Sequence, residues 1–125
     1  MATIMIVDDD EDIVYLFEQF LEETGHEAVA KAYSGEQALD IYSKLFNEHQ
    51  HLPELVLIDY RMPGMDGLKL MDKILAINPS CKVIIVSADF TIKEKAVEKG
   101  AILFIEKPIT VFEEFERAIE KCVNT

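Results

Sequence analysis

TIMIVDDDEDIVYLFEQFL, residues 3–21, holds one complete unit of the fold. Residues 3–7 are apolar without the every-other-residue alternation of a strand that has one wet face, so the segment reads as a strand covered on both sides. Five acidic side chains follow, Asp8 to Asp12, and then Ile13, Leu16, Phe17, Phe20 and Leu21 fall on one helical arc. This is a βα unit with a crowded negative junction. Two like charges about 4 Å apart repel by roughly 4 kcal/mol at the effective dielectric of a protein surface, so the bare fold is destabilised there. A cation from outside the chain is the expected relief.

The pattern recurs. Runs at 55–59, 83–87 and 101–105 are equally rich in apolar residues, with a weaker one at 27–31. Between them lie helical stripes made by Ala38, Ile41, Tyr42 and Leu45, then by Met71, Ile74 and Leu75, then by Ile92, Ala96 and Val97. A last stripe comprises Val111, Phe112, Phe115, Ala118, Ile119 and Cys122. Punctuation agrees with this division: Ser34 with Gln37 forms a capping box, Gly25 and Gly100 sit just past helix ends, and Asn78-Pro79 stops the third helix. Five βα units in strict alternation imply right-handed crossovers and an α/β fold, a doubly wound parallel sheet with helices on both faces.

At 125 residues, half of them hydrophobic, the chain reads as a single domain over 1–125 with a substantial core. Twenty-four Asp and Glu against 12 Lys and Arg leave a formal charge of −12, which opposes direct nucleic-acid binding and anionic lipid and favours cations or basic partners. The opening MATIMIV lacks a cationic leader region, and its apolar run is too short for a membrane span, so a cytoplasmic chain without membrane insertion is expected. Cys81 and Cys122 read as buried thiols, with no CxxC spacing for redox or zinc chemistry. His26, His49 and His51 read as surface residues in connecting segments, with no adjacent third ligand.

In such a sheet, function gathers at the carboxyl ends of the strands. The first strand ends at Asp8 and Asp9, the third at Asp59, the fourth at Ser87, and the fifth is followed by Lys107-Pro108. Three carboxylates from two strands make an oxygen-rich negative pocket of the kind hard divalent cations such as Mg2+ prefer. Asp10, Glu11 and Asp12 have a plainer role as cap and first turn of a helix N-terminus.

IVDD, LIDYRMPGMDG, VIIVSA and GAILFIEKP, in this order and spacing, resemble the receiver domain of two-component response regulators. The resemblance runs from Ile4 to the final helix. It implies a flavodoxin-like (βα)5 sheet of strand order 2-1-3-4-5, and a phosphorylation-activated signalling switch rather than a turnover enzyme. On it, Asp59 matches the phosphoacceptor, whose carboxylate attacks a phosphohistidine and becomes an acyl phosphate, with the protein catalysing its own phosphorylation and dephosphorylation. Asp9 matches the direct Mg2+ ligand, with Mn2+ as a substitute, Asp8 its water-mediated partner, and the Arg61 backbone carbonyl a further contact alongside Asp59. Lys107 matches the second cation, aimed inward by a cis bond to Pro108. Ser87 matches the hydroxyl that binds a phosphoryl oxygen, and Phe104 the aromatic switch behind it. Without the resemblance, Ser87 reads as a local hydrogen-bonder and Phe104 as core.

The loop RMPGMDG carries its own logic: Pro63 and Gly64 favour a tight turn, Asp66 can cap the next helix, and Gly67 removes bulk where that helix begins. Arg61 and Asp89 match positions that influence the lifetime of the acyl phosphate. The partners implied are a sensor histidine kinase or a histidine phosphotransfer protein and a downstream effector, with the chain a monomer or weak dimer. Tyr15, opposite the core arc of the first helix, and Val14 at its edge are expected to leave apolar surface near the acidic pocket for the donor. Lys93, Lys95, Lys99 and Lys107 concentrate positive charge around the fourth helix and fifth strand, a region of the family's output surface.

Rival readings fare worse. A flavin binder of the same architecture needs a Ser/Thr/Gly-rich phosphate loop where this chain has acids. A haloacid-dehalogenase-type phosphatase needs a D-x-D-x-T pattern that is absent. A degenerate receiver acting only as an interaction module would be missing one of the acids or Lys107, and the set here is complete.

Overall fold

The apolar runs form strands because each has core on both sides. In the computed structural model, which describes residues 2–49, 51–108 and 112–124, they build one parallel sheet in the order β2-β1-β3-β4-β5. The strands are β1 (Thr3–Val7), β2 (Glu27–Ala32), β3 (Leu55–Asp59), β4 (Lys82–Ser87) and β5 (Leu103–Glu106). The helices are α1 (Glu11–Glu23), α2 (Gly35–Asn47), α3 (Gly67–Ile77), α4 (Lys93–Glu98) and α5 (Phe112–Val123), with a 3-10 turn, Phe90–Ile92, leading into α4. Val111 and the Phe112 side chain, both in the expected last stripe, lie outside the described residues.

Successive strand residues point to opposite layers, and both layers are dry. Ile4, Ile6, Leu55, Leu57, Ile84 and Val86 pack against Phe17 and Leu21 of α1 and Phe115, Ile119 and Cys122 of α5. Met5, Val7, Val56, Ile58, Val83 and Ile85 pack against Tyr42 of α2, Met71 and Ile74 of α3 and Ala96 of α4. Burial on both faces is why these strands carry no alternation. β2, an edge strand, is mostly half-buried, which accounts for its weaker signal.

Several helix ends follow their local chemistry. Asp10 caps α1 by accepting from the Asp12 and Ile13 N–H groups, Ser34 caps α2 by accepting from Gln37 N–H, and Gln37 answers by accepting from Tyr33 N–H. Gly25 and Gly100 lie at φ +82° and +118°, each followed by a residue whose N–H reaches back to the helix: His26 to the Leu21 carbonyl and Ala101 to the Ala96 carbonyl, both at or near 3 Å. That last bond corrects one boundary. Ala101 belongs to the closure of α4, so β5 begins at Leu103 rather than at 101.

Three expectations fail on packing. Val14 is 1% exposed, because the buried line of α1 is Val14, Phe17 and Leu21, with Ile13, Leu16 and Phe20 only flanking it. Val97 is 51% exposed: α4 has six residues, buries only Ala96, and turns Val97 outward about 100° away. His26 is not a surface residue. The turn that closes α1 tucks it in, where Nδ1 accepts from Ala2 N–H at 2.9 Å and Nε2 lies 2.9 Å from Glu120 Oε1 on α5. His49 and His51 are exposed, and both cysteines are buried and free, as expected.

Candidate functional site

The strand order brings the ends of β1 and β3 side by side, and with them the acids. Asp8 is 2% exposed and Asp59 7%, while Asp9 stands open to solvent. One carboxylate oxygen from each of the three lies within 4.8 Å of the others, the one such acidic, His or Cys cluster among the described residues. Backbone bonds hold the rim: Asp8 N–H donates to the Ala32 carbonyl at 3.1 Å, and Tyr60 N–H to that of Val86 at 3.0 Å. Asp8 Oδ1 also accepts from Asp10 N–H at 2.9 Å, which turns the chain from the strand towards α1.

Lys107 reaches in from the end of β5. Its N–H donates to the Ser87 carbonyl at 2.9 Å, its bond to Pro108 is cis as the resemblance implies, and its Nζ bonds Asp59 Oδ1 at 2.8 Å and Asp8 Oδ2 at 3.0 Å. One ammonium thus serves two buried carboxylates. Burial pushes the Asp59 carboxyl up to about 6; the Lys107 hydrogen bond opposes this, and the charges of Asp8 and Asp9 reinforce it. Burial works against the Lys107 charge, but its bonds to Asp59 and Asp8 outweigh that and raise its pKa. Together with Asp10, Arg61, Ser87 and Ala88 these groups line a cavity of about 330 Å3.

The β3–α3 loop is fixed from three sides. Asp66 caps α3 by accepting from Lys69 N–H at 2.9 Å, Gly67 N–H donates to the Tyr60 carbonyl at 2.8 Å, and Glu36 of α2 accepts from Met65 N–H at 3.1 Å. A Cβ on Gly67 would lie 2.5 Å from the Asp59 carbonyl oxygen and 2.9 Å from Tyr60 Cα, both backbone atoms that cannot swing aside. Gly67→Ala is therefore expected to cost about 1–3 kcal/mol in urea unfolding. An unchanged midpoint would show that the loop yields freely.

Arg61, which lines the cavity, donates from Nη2 to Asp89 Oδ2 at 3.0 Å. Both residues stood out in the sequence, each two beyond a strand end, but nothing local paired them. Hydrogen bonds from Thr91, with help from Arg61, hold the Asp89 carboxyl below its ordinary range. Ser87, 2% exposed, accepts from Asp89 N–H at 2.9 Å, and Phe104, 9% exposed, packs edge-on against Phe90. Glu36, which braces the loop from α2, carried no sequence signal. Of the two residues expected to face a donor, Tyr15 is 63% exposed and Val14 is buried, so of that pair only Tyr15 offers apolar surface.

The donor set suits a hard cation. Three carboxylates without His or Cys favour Mg2+ or Mn2+ over zinc, and the buried negative charge exceeds what Lys107 alone can balance. Residues 4–120 match the model of the response regulator receiver domain. The chain belongs to that family. Receiver domains are phosphoacceptor switches of two-component systems that bind Mg2+ at an acidic pocket and meet histidine kinases or phosphotransfer proteins and effectors. This receiver is 34% identical over 123 residues to the chemotaxis protein CheY of Bacillus subtilis, with 97% of each chain covered. It is 35% identical over 111 residues to a cyclic di-GMP phosphodiesterase of Thermotoga maritima, matching 87% of this chain but spanning only 28% of that relative. Among solved structures, the CheX-CheY-BeF3-Mg complex of Borrelia burgdorferi has a chain that superposes with a TM-score of 0.84 at 26% identity, covering 96% of this chain and 88% of that one. The receiver fold, with strand order 2-1-3-4-5, is shared with it. No helix among the described residues is long and apolar enough to cross a membrane.

Proposed function

We propose that this receiver, a single domain over 1–125, accepts a phosphoryl group on Asp59 from the phosphohistidine of a sensor histidine kinase or histidine phosphotransfer protein. The observation that carries this reading is a carboxylate at a strand end, 7% exposed, bound by Lys107 at 2.8 Å and adjoined by two more carboxylates. An Asp59 oxygen attacks phosphorus, the P–N bond to the donor histidine breaks, and the new O–P bond leaves an acyl phosphate.

The chain's own residues divide the work. Lys107 Nζ, already on Asp59 Oδ1, orients the nucleophile and takes up charge on a phosphoryl oxygen, while the Ser87 hydroxyl donates to another. Asp9 directly, Asp8 through water, Asp59 and the Arg61 carbonyl would hold the divalent ion. When bound, Mg2+ would add positive charge to that of Lys107 and so help neutralise the transferring group. Phe104 then follows Ser87, and the α4–β5–α5 face changes shape for an effector. A degenerate interaction module is disfavoured because the acids and Lys107 converge on one cavity.

Beryllofluoride, which mimics the phosphoryl group, tests this directly. With Mg2+ present it should shift amide NMR signals of Ser87, Phe104 and Lys107 in the wild type and leave Asp59→Asn untouched. Shifts scattered away from this rim, or none, would sink the assignment. Tyr15, exposed on the first turns of α1, serves as the donor's foothold. Tyr15→Ala should slow transfer from the cognate phosphohistidine protein about tenfold and leave phosphorylation by acetyl phosphate unchanged. Unaltered transfer would remove Tyr15 from the docking surface.

A further inference from the structure

Phe90 stands beside the site, yet none of the phosphoryl chemistry needs it. It opens the 3-10 turn after β4, 57% exposed, with its ring centroid 6.2 Å from that of Phe104 and the two planes at 83°. Edge-to-face rings at this distance attract beyond the area they bury. Lys93 Nζ, 5.2 Å from the Phe90 centroid, adds a cation to the same ring.

Hydrogen bonds link this ring to the reacting centre. Asp89 N–H donates to Ser87 Oγ at 2.9 Å; one Asp89 oxygen accepts from Thr91 N–H at 3.0 Å and from the Thr91 hydroxyl, and the other accepts from Arg61 at 3.0 Å. Asp89, at the head of the turn, is thereby tied both to Ser87 and to Arg61 of the β3–α3 loop. A serine hydroxyl that accepts from Asp89 N–H still has its own proton to donate to a phosphoryl oxygen. A movement of Ser87 towards Asp59 that keeps this bond pulls on Asp89, the residue that precedes Phe90 and caps its turn.

We propose that Phe90 is a positioning residue of the switch, holding Phe104 in its buried rotamer and, through the Ser87–Asp89 bond, strengthening the hold of the Asp59 site on a phosphoryl group. This rests on the phosphoacceptor reading of Asp59. Because rotamer choice at one place and ligand binding at the other are linked, burial of Phe104 and loading of the site favour each other by the same factor, and a contact that favours the buried rotamer strengthens binding by at most the factor by which it favours that rotamer.

The test is a beryllofluoride titration of the full chain at saturating Mg2+, followed by the amide signals of Ser87 and Lys107, in wild type, Phe90→Ala and Phe90→Tyr. Phe90→Ala should bind about three- to tenfold more weakly, as expected for loss of one aromatic pair, with its affinity for Mg2+ alone unchanged. Phe90→Tyr should restore the wild-type value. Equal affinities in wild type and Phe90→Ala would overturn the coupling, and so would a parallel loss of Mg2+ affinity, which marks general damage. Wild type that fails to bind beryllofluoride would overturn the phosphoacceptor reading itself, an outcome visible before any Phe90 variant is compared.

Discussion

Incubated with acetyl phosphate and Mg2+, the wild-type chain should gain one phosphoryl group by mass spectrometry, labile to hydroxylamine, and Asp59→Asn should gain none. An amide oxygen is a poor nucleophile and cannot form the acyl phosphate, so the effect is complete rather than partial. Without Mg2+ the wild type should also stay unmodified, because three carboxylates within 4.8 Å repel the incoming phosphate and Lys107 supplies only one compensating charge. Modification of Asp59→Asn to the wild-type level would place the acceptor elsewhere.

The same substitution should stabilise the unmodified protein. Burial raises the Asp59 carboxyl to about 6, above its ordinary 3.8, so the folded state holds its proton more tightly than the unfolded chain does. The stability gained is full below the ordinary carboxylate range and is lost as pH rises through about 6. Above that pH the ionised Asp59 is a standing cost, which Asp59→Asn removes. At pH 7.5 without Mg2+ the variant should be more stable by about 1–3 kcal/mol, and at pH 4 the two proteins should converge.

Lys107→Ala should act in the opposite sense and more strongly. It leaves Asp8 and Asp59, 2% and 7% exposed, without the ammonium that binds both at 3.0 and 2.8 Å. At pH 7.5 in the absence of divalent ions the loss should be about 2–4 kcal/mol in urea unfolding, since breaking a buried pair strands an unbalanced charge. Adding Mg2+ should recover part of it by binding only the folded state. Phosphorylation should remain severely slowed even then, because no ammonium faces the phosphoryl oxygens. In the double variant with Asp59→Asn, the cost of removing Lys107 should shrink by about 1–3 kcal/mol. Strict additivity would mean that the Lys107–Asp59 contact carries no energy.

Much of the site is legible in the sequence because its residues sit at strand ends, which the switch from apolar run to polar residue marks directly. Asp8, Asp9, Asp59 and Ser87 are marked in this way, and the packed strands place them on one rim. The capping residues Asp10, Ser34 and Asp66 act within three positions of themselves, so their chemistry is visible in any short window. The burial of His26 is not legible locally, because a connecting segment is ordinarily wet and its partners lie 24 residues before it at Ala2 and 94 after it at Glu120. The exposure of Val14 and Val97 departs from their stripes for a related reason: a stripe gives the arc of a helix but not the angle at which the sheet receives it.

Local spacing thus determined the alternation of elements, the two-sided burial of the strands and the placing of acids at strand ends, because each is marked by an unbroken apolar run, a helical period of 3.6 residues or a chain neighbour. Only the tertiary structure decided which distant groups meet: Lys107 with Asp8 and Asp59, Arg61 with Asp89, Glu36 with the Met65 amide, and Phe90 with Phe104. Those contacts depend on crossover geometry and helix docking, and through Lys107 they let one ammonium hold two buried carboxylates at the site's centre.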